Sequence, residues 1–151
     1  MKLQKGKNYM RASIPPLFDL EFNQGLWNSG HVCPKAINDQ ILLVTMNKKN
    51  IYRYLDNSDY HDKANGKTFI WSSQASTTVA SKKGQAVINH IQNNSSIHLF
   101  VRNSKLDKSG KAAPFEYFGK LQYISHNGEC PISFKFKYLE AWSWLKKKAT
   151  K

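Results

Sequence analysis

The stretch Ile132-Ser133-Phe134-Lys135-Phe136-Lys137-Tyr138 alternates apolar and polar side chains without a break. Successive side chains of a strand point to opposite faces, so Ile132, Phe134, Phe136 and Tyr138 share one face and Ser133, Lys135 and Lys137 the other. One side is dry and the other wet and basic, which is the pattern of a half-buried antiparallel strand, here predicted over Ile132 to Leu139. The same alternation marks Thr68 to Ser73, where Phe69 and Trp71 oppose Ile70. Ser96 to Arg102 and Phe115 to Ser125 read as two further strands. Ile41-Leu42-Leu43-Val44-Thr45-Met46 is a continuous apolar run, consistent with a buried strand. A turn at Asn47 to Asn50 then leads to a hairpin partner over Ile51 to Leu55.

Between the strands, helical spacing appears once. Val87, Ile88 and Ile91 form an apolar stripe that predicts a helix over Lys82 to Asn93, ended by Asn93-Asn94-Ser95. The first 25 residues read as irregular or edge-like, because Pro15-Pro16 blocks a helix and Gly6 and Gly25 punctuate the segment. Asp56 to Lys67, Gln74 to Lys83 and Lys105 to Ala113 read as loops. The sum is a mainly β (α+β) chain of about six strands in mostly antiparallel order, with one principal helix. A twisted sheet of that size tends towards a partly open antiparallel β-barrel, which hides its edges. The 151 residues suit a single domain with its own core, and no repeat or linker interrupts them.

Charge narrows the function. Lys and Arg number 23 against 10 Asp and Glu, a formal net charge of +13, and the pI is near 9.8. Such an excess attracts polyanions. A basic membrane-surface protein would present an amphipathic helix, which only the short tail Tyr138 to Lys148 approaches. No run is long and apolar enough for a membrane span, and Met1 to Asn8 lacks the apolar core of a secretory signal. Cys33 and Cys130 stand far apart outside any CxxC pair, as expected of two free thiols in a reducing cytoplasm. Nucleic acid is the expected partner.

Catalytic chemistry finds little support. His31, His61, His90, His98 and His126 have no His or Cys at metal-ligand spacing, so each is expected in a hydrogen-bonded or solvated role. The carboxylates form no nuclease-type metal cluster, and no phosphate-binding glycine loop is present. Neither a metal nor a cofactor is expected. A compact nuclease using His61 or His90 is the enzymatic alternative, and an RNA or single-strand binder is the alternative binding module.

What remains is aromatic residues interleaved with bases and small polar groups. An unpaired nucleobase needs a flat hydrophobic wall and a few donors and acceptors for its edge. Tyr54 and Trp71 are the candidates for stacking, Ser73 and Gln74 for edge contacts. Arg53, Ser81, Lys82, Lys83, Arg102 and Lys105 are the candidates for phosphate. Each has a plain structural reading beside it: the aromatics, with Trp27, Trp142 and Trp144, can be core. Ser81 can be an ordinary helix N-cap flanked by solvated lysines.

In order along the chain come Tyr9-Met10-Arg11-Ala12-Ser13-Ile14-Pro15, Trp27-Asn28-Ser29-Gly30-His31-Val32 and Ile41 to Lys48. Phe69-Ile70-Trp71-Ser72-Ser73-Gln74-Ala75-Ser76-Thr77-Thr78, Lys82 to His90, Ile97 to Arg102 and Ala113 to Gly119 follow. These stretches resemble the C-terminal domain of SauUSI-type modification-dependent (type IV) restriction enzymes, where it follows a nuclease and a helicase. More distantly the pattern resembles SRA-like and PUA-like barrels that read a flipped base. The resemblance implies recognition of double-stranded DNA carrying a modification, with modified cytosine such as 5-methylcytosine first in line, and a nuclease or helicase partner in cis or in trans. The family favours aromatic-His-Trp-Gln-Ser-Gln; here Trp71, Ser73 and Gln74 carry over, while Ile70 and Ser72 replace the His and the first Gln.

Overall fold

The computed structural model describes residues 3–45, 68–74 and 76–139. They form one sheet of seven strands: β1 (Asn8–Tyr9), β2 (His31–Val32), β3 (Gln40–Thr45), β4 (Thr68–Ser72), β5 (Ile97–Arg102), β6 (Phe115–Asn127) and β7 (Ser133–Tyr138). Two helices accompany them, α1 (Gln24–Trp27) and α2 (Lys82–Ile88), with 3₁₀ turns at Arg11–Ser13 and Pro15–Phe18. The sheet order is β2-β3-β5-β6-β7-β4, with β1 set beside β6. All these pairings are antiparallel except β3 with β5, which run parallel.

The alternation that opened the sequence reading survives intact. Phe134 and Phe136 are buried, and the antiparallel register sets Phe136 opposite Phe69 and Phe134 opposite Trp71. Cross-strand aromatic pairs of this kind are the unit of sheet stabilisation. The run Ile41-Leu42-Leu43 is buried throughout because both faces of β3 are covered. Leu42 joins an inner core with Leu99, Phe118, Leu121, Phe69, Trp71 and the β7 aromatics. Ile41 and Leu43 join an outer core with Tyr9, Ile14, Phe18, Trp27, Phe100 and Phe115. The irregular N-terminal segment is thus the cover of the sheet's outer face, and Trp27, 1% exposed, is a packing residue.

Strand β6 shapes the sheet. Its first half pairs with β5 and its second with β7. The register slips at Leu99/Phe100, where Phe118 is extra and Gly119 adopts φ +99°, and again between Tyr123 and Ser125. Such bulges bend a strand and increase its twist, and a left-handed φ is accessible to glycine at little cost. The coiled sheet remains open, as a partly open barrel requires, with β2 and β4 as its two edges.

Helix α2 is shorter than its predicted span. Ser81 caps it, its Oγ accepting from Gly84 N at 3.1 Å, and Val87 enters the inner core. It ends at Ile88 because the chain turns back: Ser95 N donates to His90 O at 2.7 Å, and the His90 ring is held by Ser95 O and Tyr123 N. Ile91, counted in the apolar stripe, is therefore beyond the helix and 55% exposed. The expected hairpin partner Ile51 to Leu55 lies outside the described residues, as do the turn before it and the two C-terminal tryptophans.

Candidate nucleic-acid interface

The two edge strands meet through side chains rather than backbone hydrogen bonds. The His31 ring of β2 stands edge-on to the Trp71 indole of β4, with centroids 5.6 Å apart. Just beyond each strand, Gln74 Nε2 donates to Ser29 Oγ at 2.8 Å. The Lys83 ammonium of α2 bridges the gap, donating to His31 O at 2.7 Å, Gln74 Oε1 at 3.3 Å and Ser29 Oγ at 3.4 Å. This seam is where the barrel comes nearest to closing. A side-chain seam is easier to part than a backbone ladder, because each contact is a single hydrogen bond or ring contact.

His31 is nearly sealed, at 2% exposure. The Gln40 amide nitrogen is engaged by Ala86 O at 2.8 Å and Ser95 Oγ at 3.0 Å, so its Oε1 faces the ring 2.9 Å from Nε2. That arrangement makes Nε2 the donor. Burial pushes its pKa down to about 4; the Gln40 hydrogen bond opposes the shift and the Lys83 charge adds to it. His98 is equally buried, between Tyr117 Oη at 2.9 Å and Asp39 Oδ2 at 3.0 Å, and burial outweighs the carboxylate to lower its pKa. His90 is lowered for the same first reason. These histidines hold the fold together, and His126 bonds Tyr123 Oη at 2.7 Å on the surface. His61 lies outside the described residues.

The seam gathers four of the candidate residues, Trp71, Ser73, Gln74 and Lys83, and assigns them different work. Trp71 is 8% exposed and stacks on Phe134 at 5.8 Å, with planes 20° apart, so one face of the indole is already covered. Ser73 is buried too; its Oγ accepts from Ile132 N at 2.8 Å and donates to Gln74 O at 3.1 Å, tying the end of β4 to the start of β7. Gln74 is exposed at the mouth of the seam. Lys82 is exposed, and Lys83 is turned inward onto its three acceptors. Arg102 sits elsewhere, at the end of β5, where Nε donates to Thr45 Oγ1 at 2.8 Å and the guanidinium covers the Phe115 ring at 4.4 Å. Lys105 is exposed in the loop after it. Arg53 and Tyr54 lie outside the described residues, in the segment that connects Thr45 to Thr68.

Ser29 and His31 were missed as members of this site, although both fall within a stretch that carries the family resemblance. On the outer face Lys120, Lys135 and Lys137 are half-buried, which keeps the basic surface read from the alternation. A cavity of about 160 Å³ opens beside Cys33 and Gln40, yet Asp39 and Gln40 in its wall are already engaged by Ser96 N, His98, Ala86 and Ser95. Among the described residues no group of three His, Cys, Asp or Glu side chains could hold a metal, and both cysteines are free thiols. Among them, too, no helix is long and apolar enough to cross a membrane.

An open, coiled, mainly β sheet with one capping helix defines the architectural class. The chain belongs to the family described as Domain of unknown function (DUF3427), which matches residues 3–138. No curated protein matches the sequence. Among solved structures the chain is similar to Arabidopsis thaliana SUVH6, crystallised in complex with SAM, at 13% identity and a TM-score of 0.57. The similarity covers 99% of this chain and 29% of that one. A structure of SUVH9 aligns at 9% identity and a TM-score of 0.48, over 92% of this chain and 29% of that one. The chain therefore spans under a third of the SUVH6 chain to which it is similar.

Proposed function

We propose that this chain is a DNA-binding module that recognises modified double-stranded DNA, with modified cytosine as the preferred mark. The observation that carries the reading is the seam: the edges of an open barrel face each other without a backbone ladder, and an amide, a hydroxyl and an ammonium cluster at its mouth. An extruded base needs such an opening, flanked by donors and acceptors able to pair with its edge. Gln74 is the edge reader in this scheme. Tyr54 supplies stacking from the segment between Thr45 and Thr68, and Trp71 is the packed floor that fixes Gln74 in place. The net charge of +13 and the lysines of the outer face supply the sequence-independent grip on phosphate. A nuclease or helicase, in cis or in trans, is the partner proposed to act on the DNA that this module recognises.

The test is a set of fluorescence-anisotropy titrations against matched duplexes that are unmodified, 5-methylcytosine-, hydroxymethylcytosine- or phosphorothioate-bearing, with single-stranded DNA and RNA of the same sequence. Tighter binding to a cytosine-modified duplex is the expected result. Equal affinity for all duplexes, or a preference for RNA, overturns it.

A further inference from the structure

Strand pairing brings two arginines together at the outer core. Tyr9 of β1 is in register with Phe115 of β6, and Val101 of β5 is in register with Glu116. Arg11, two residues past Tyr9, and Arg102, one past Val101, therefore converge on Phe115. The Arg11 guanidinium carbon lies 5.1 Å from the centre of that ring and the Arg102 carbon 4.4 Å from it. Phe115 itself is fully buried, so the ring is a fixed platform.

Arg11 is tied down through one nitrogen and Arg102 through two. Arg11 Nη1 donates to Trp27 O at 2.6 Å. Arg102 donates through Nε to Thr45 Oγ1 at 2.8 Å and through Nη1 to Ala113 O at 3.5 Å. A guanidinium carries five N–H donors in a rigid fork, and Arg11 Nε and Nη2 and Arg102 Nη2 have no hydrogen-bond partner among the described residues. No ion pair is made by either arginine among those residues. Two like charges held against one ring repel, and both lose hydration; the pKa of each is lowered chiefly by burial, and that of Arg102 further by the charge of Arg11. Both side chains remain half-exposed, so the free edges can be reached from solvent. An anion that reaches both guanidinium groups would relieve the repulsion and engage their free donors. Planar forks held rigidly in this way suit the oxygens of a phosphate far better than a flexible ammonium does.

We propose that Arg11 and Arg102, mounted on Phe115, form a two-pronged binding site for a phosphate group, filled by a phosphodiester of the bound nucleic acid. The identity of that occupant rests on the DNA-binding reading; the anion site itself does not. It adds Arg11 to the phosphate contacts and places a grip on the outer face of the sheet, away from the residues that read the base.

Two measurements test it separately. The first is duplex affinity against salt for the wild type, R11Q/R102Q, R11K/R102K and Arg102→Gln alone, with circular dichroism as the check on folding. Loss of two phosphate contacts should weaken modified and unmodified duplexes alike, by about tenfold, and make the log–log salt slope shallower by about two. The lysine pair should keep the slope and lose part of the affinity. Arg102→Gln, which leaves the Trp27 tie intact, should change the slope by about one and serves if the double variant does not fold. The second measurement is thermal stabilisation by inorganic phosphate and by pyrophosphate, expected for the wild type and absent in Arg102→Gln. An unchanged slope in a folded variant overturns the site and leaves the DNA reading standing. A wild type that binds no duplex removes the DNA reading, and the phosphate arm then decides the site: no stabilisation, or stabilisation equal in Arg102→Gln, overturns it.

Discussion

Acidification should loosen the barrel at its seam, and His31 makes the effect measurable. In the folded chain burial holds this imidazole down from an ordinary 6.5 to about 4. In the unfolded chain it titrates near 6.5. Between those two values the unfolded state binds the proton and the folded state does not, so stability is greatest above pH 6.5 and falls as the pH drops towards 4. One pKa unit corresponds to about 1.4 kcal/mol, so the full effect is roughly 3 kcal/mol. About 2 kcal/mol of it falls between pH 7 and pH 5. Urea denaturation of wild type and His31→Gln at both pH values isolates this contribution, because His90, His98 and the carboxylates titrate in both proteins and cancel. The wild type should lose about 2 kcal/mol more than the variant on going from pH 7 to pH 5. Parallel losses would refute the sealed, neutral His31 on which the description of the seam depends.

Three further outcomes follow from the packing. Trp71→Ala should cost about 3–5 kcal/mol of stability, the range for large aromatic deletions from a core, and weaken all nucleic-acid binding together; a selective binding defect with an unchanged melting temperature would instead make Trp71 an accessible stacking wall. Gln74→Ala, at an exposed position, should leave the melting temperature within a degree or so of wild type and reduce discrimination between modified and unmodified duplexes; unchanged discrimination removes Gln74 as the edge reader. Gly84→Ala should destabilise strongly in a thermal melt, because a Cβ there would overlap the Thr78 carbonyl oxygen and press on that of Val79. A neutral result would mean that the loop over α2 moves aside freely.

The value of the family resemblance differs from residue to residue. Trp71, Ser73 and Gln74 were picked from one short stretch, yet two of them are buried and work on the fold. Ser73 bridges β4 to β7 and Trp71 fills the space between Phe134 and His31. Only Gln74 reaches solvent. A motif marks a neighbourhood, and burial decides which of its members can touch a ligand.

Strand identity was legible in the chain itself because the side-chain period is local. The alternation of β7, the opposition of Phe69 and Trp71 to Ile70, and the buried run of β3 all depend on neighbours one or two residues away. The excess of basic residues was equally plain, and the expected hydrogen-bonded role holds for His31, His90, His98 and His126. Tertiary structure alone decided which strands meet. Nothing in residues 68–72 announces that β4 pairs with β7, and nothing in Ile41 to Thr45 announces a parallel partner in β5. The seam joins Ser29 and His31 to Trp71, Gln74 and Lys83, and the arginine pair joins position 11 to position 102. Such contacts arise from the coiling of the whole sheet around the bulges of β6, a long-range outcome that no local period encodes.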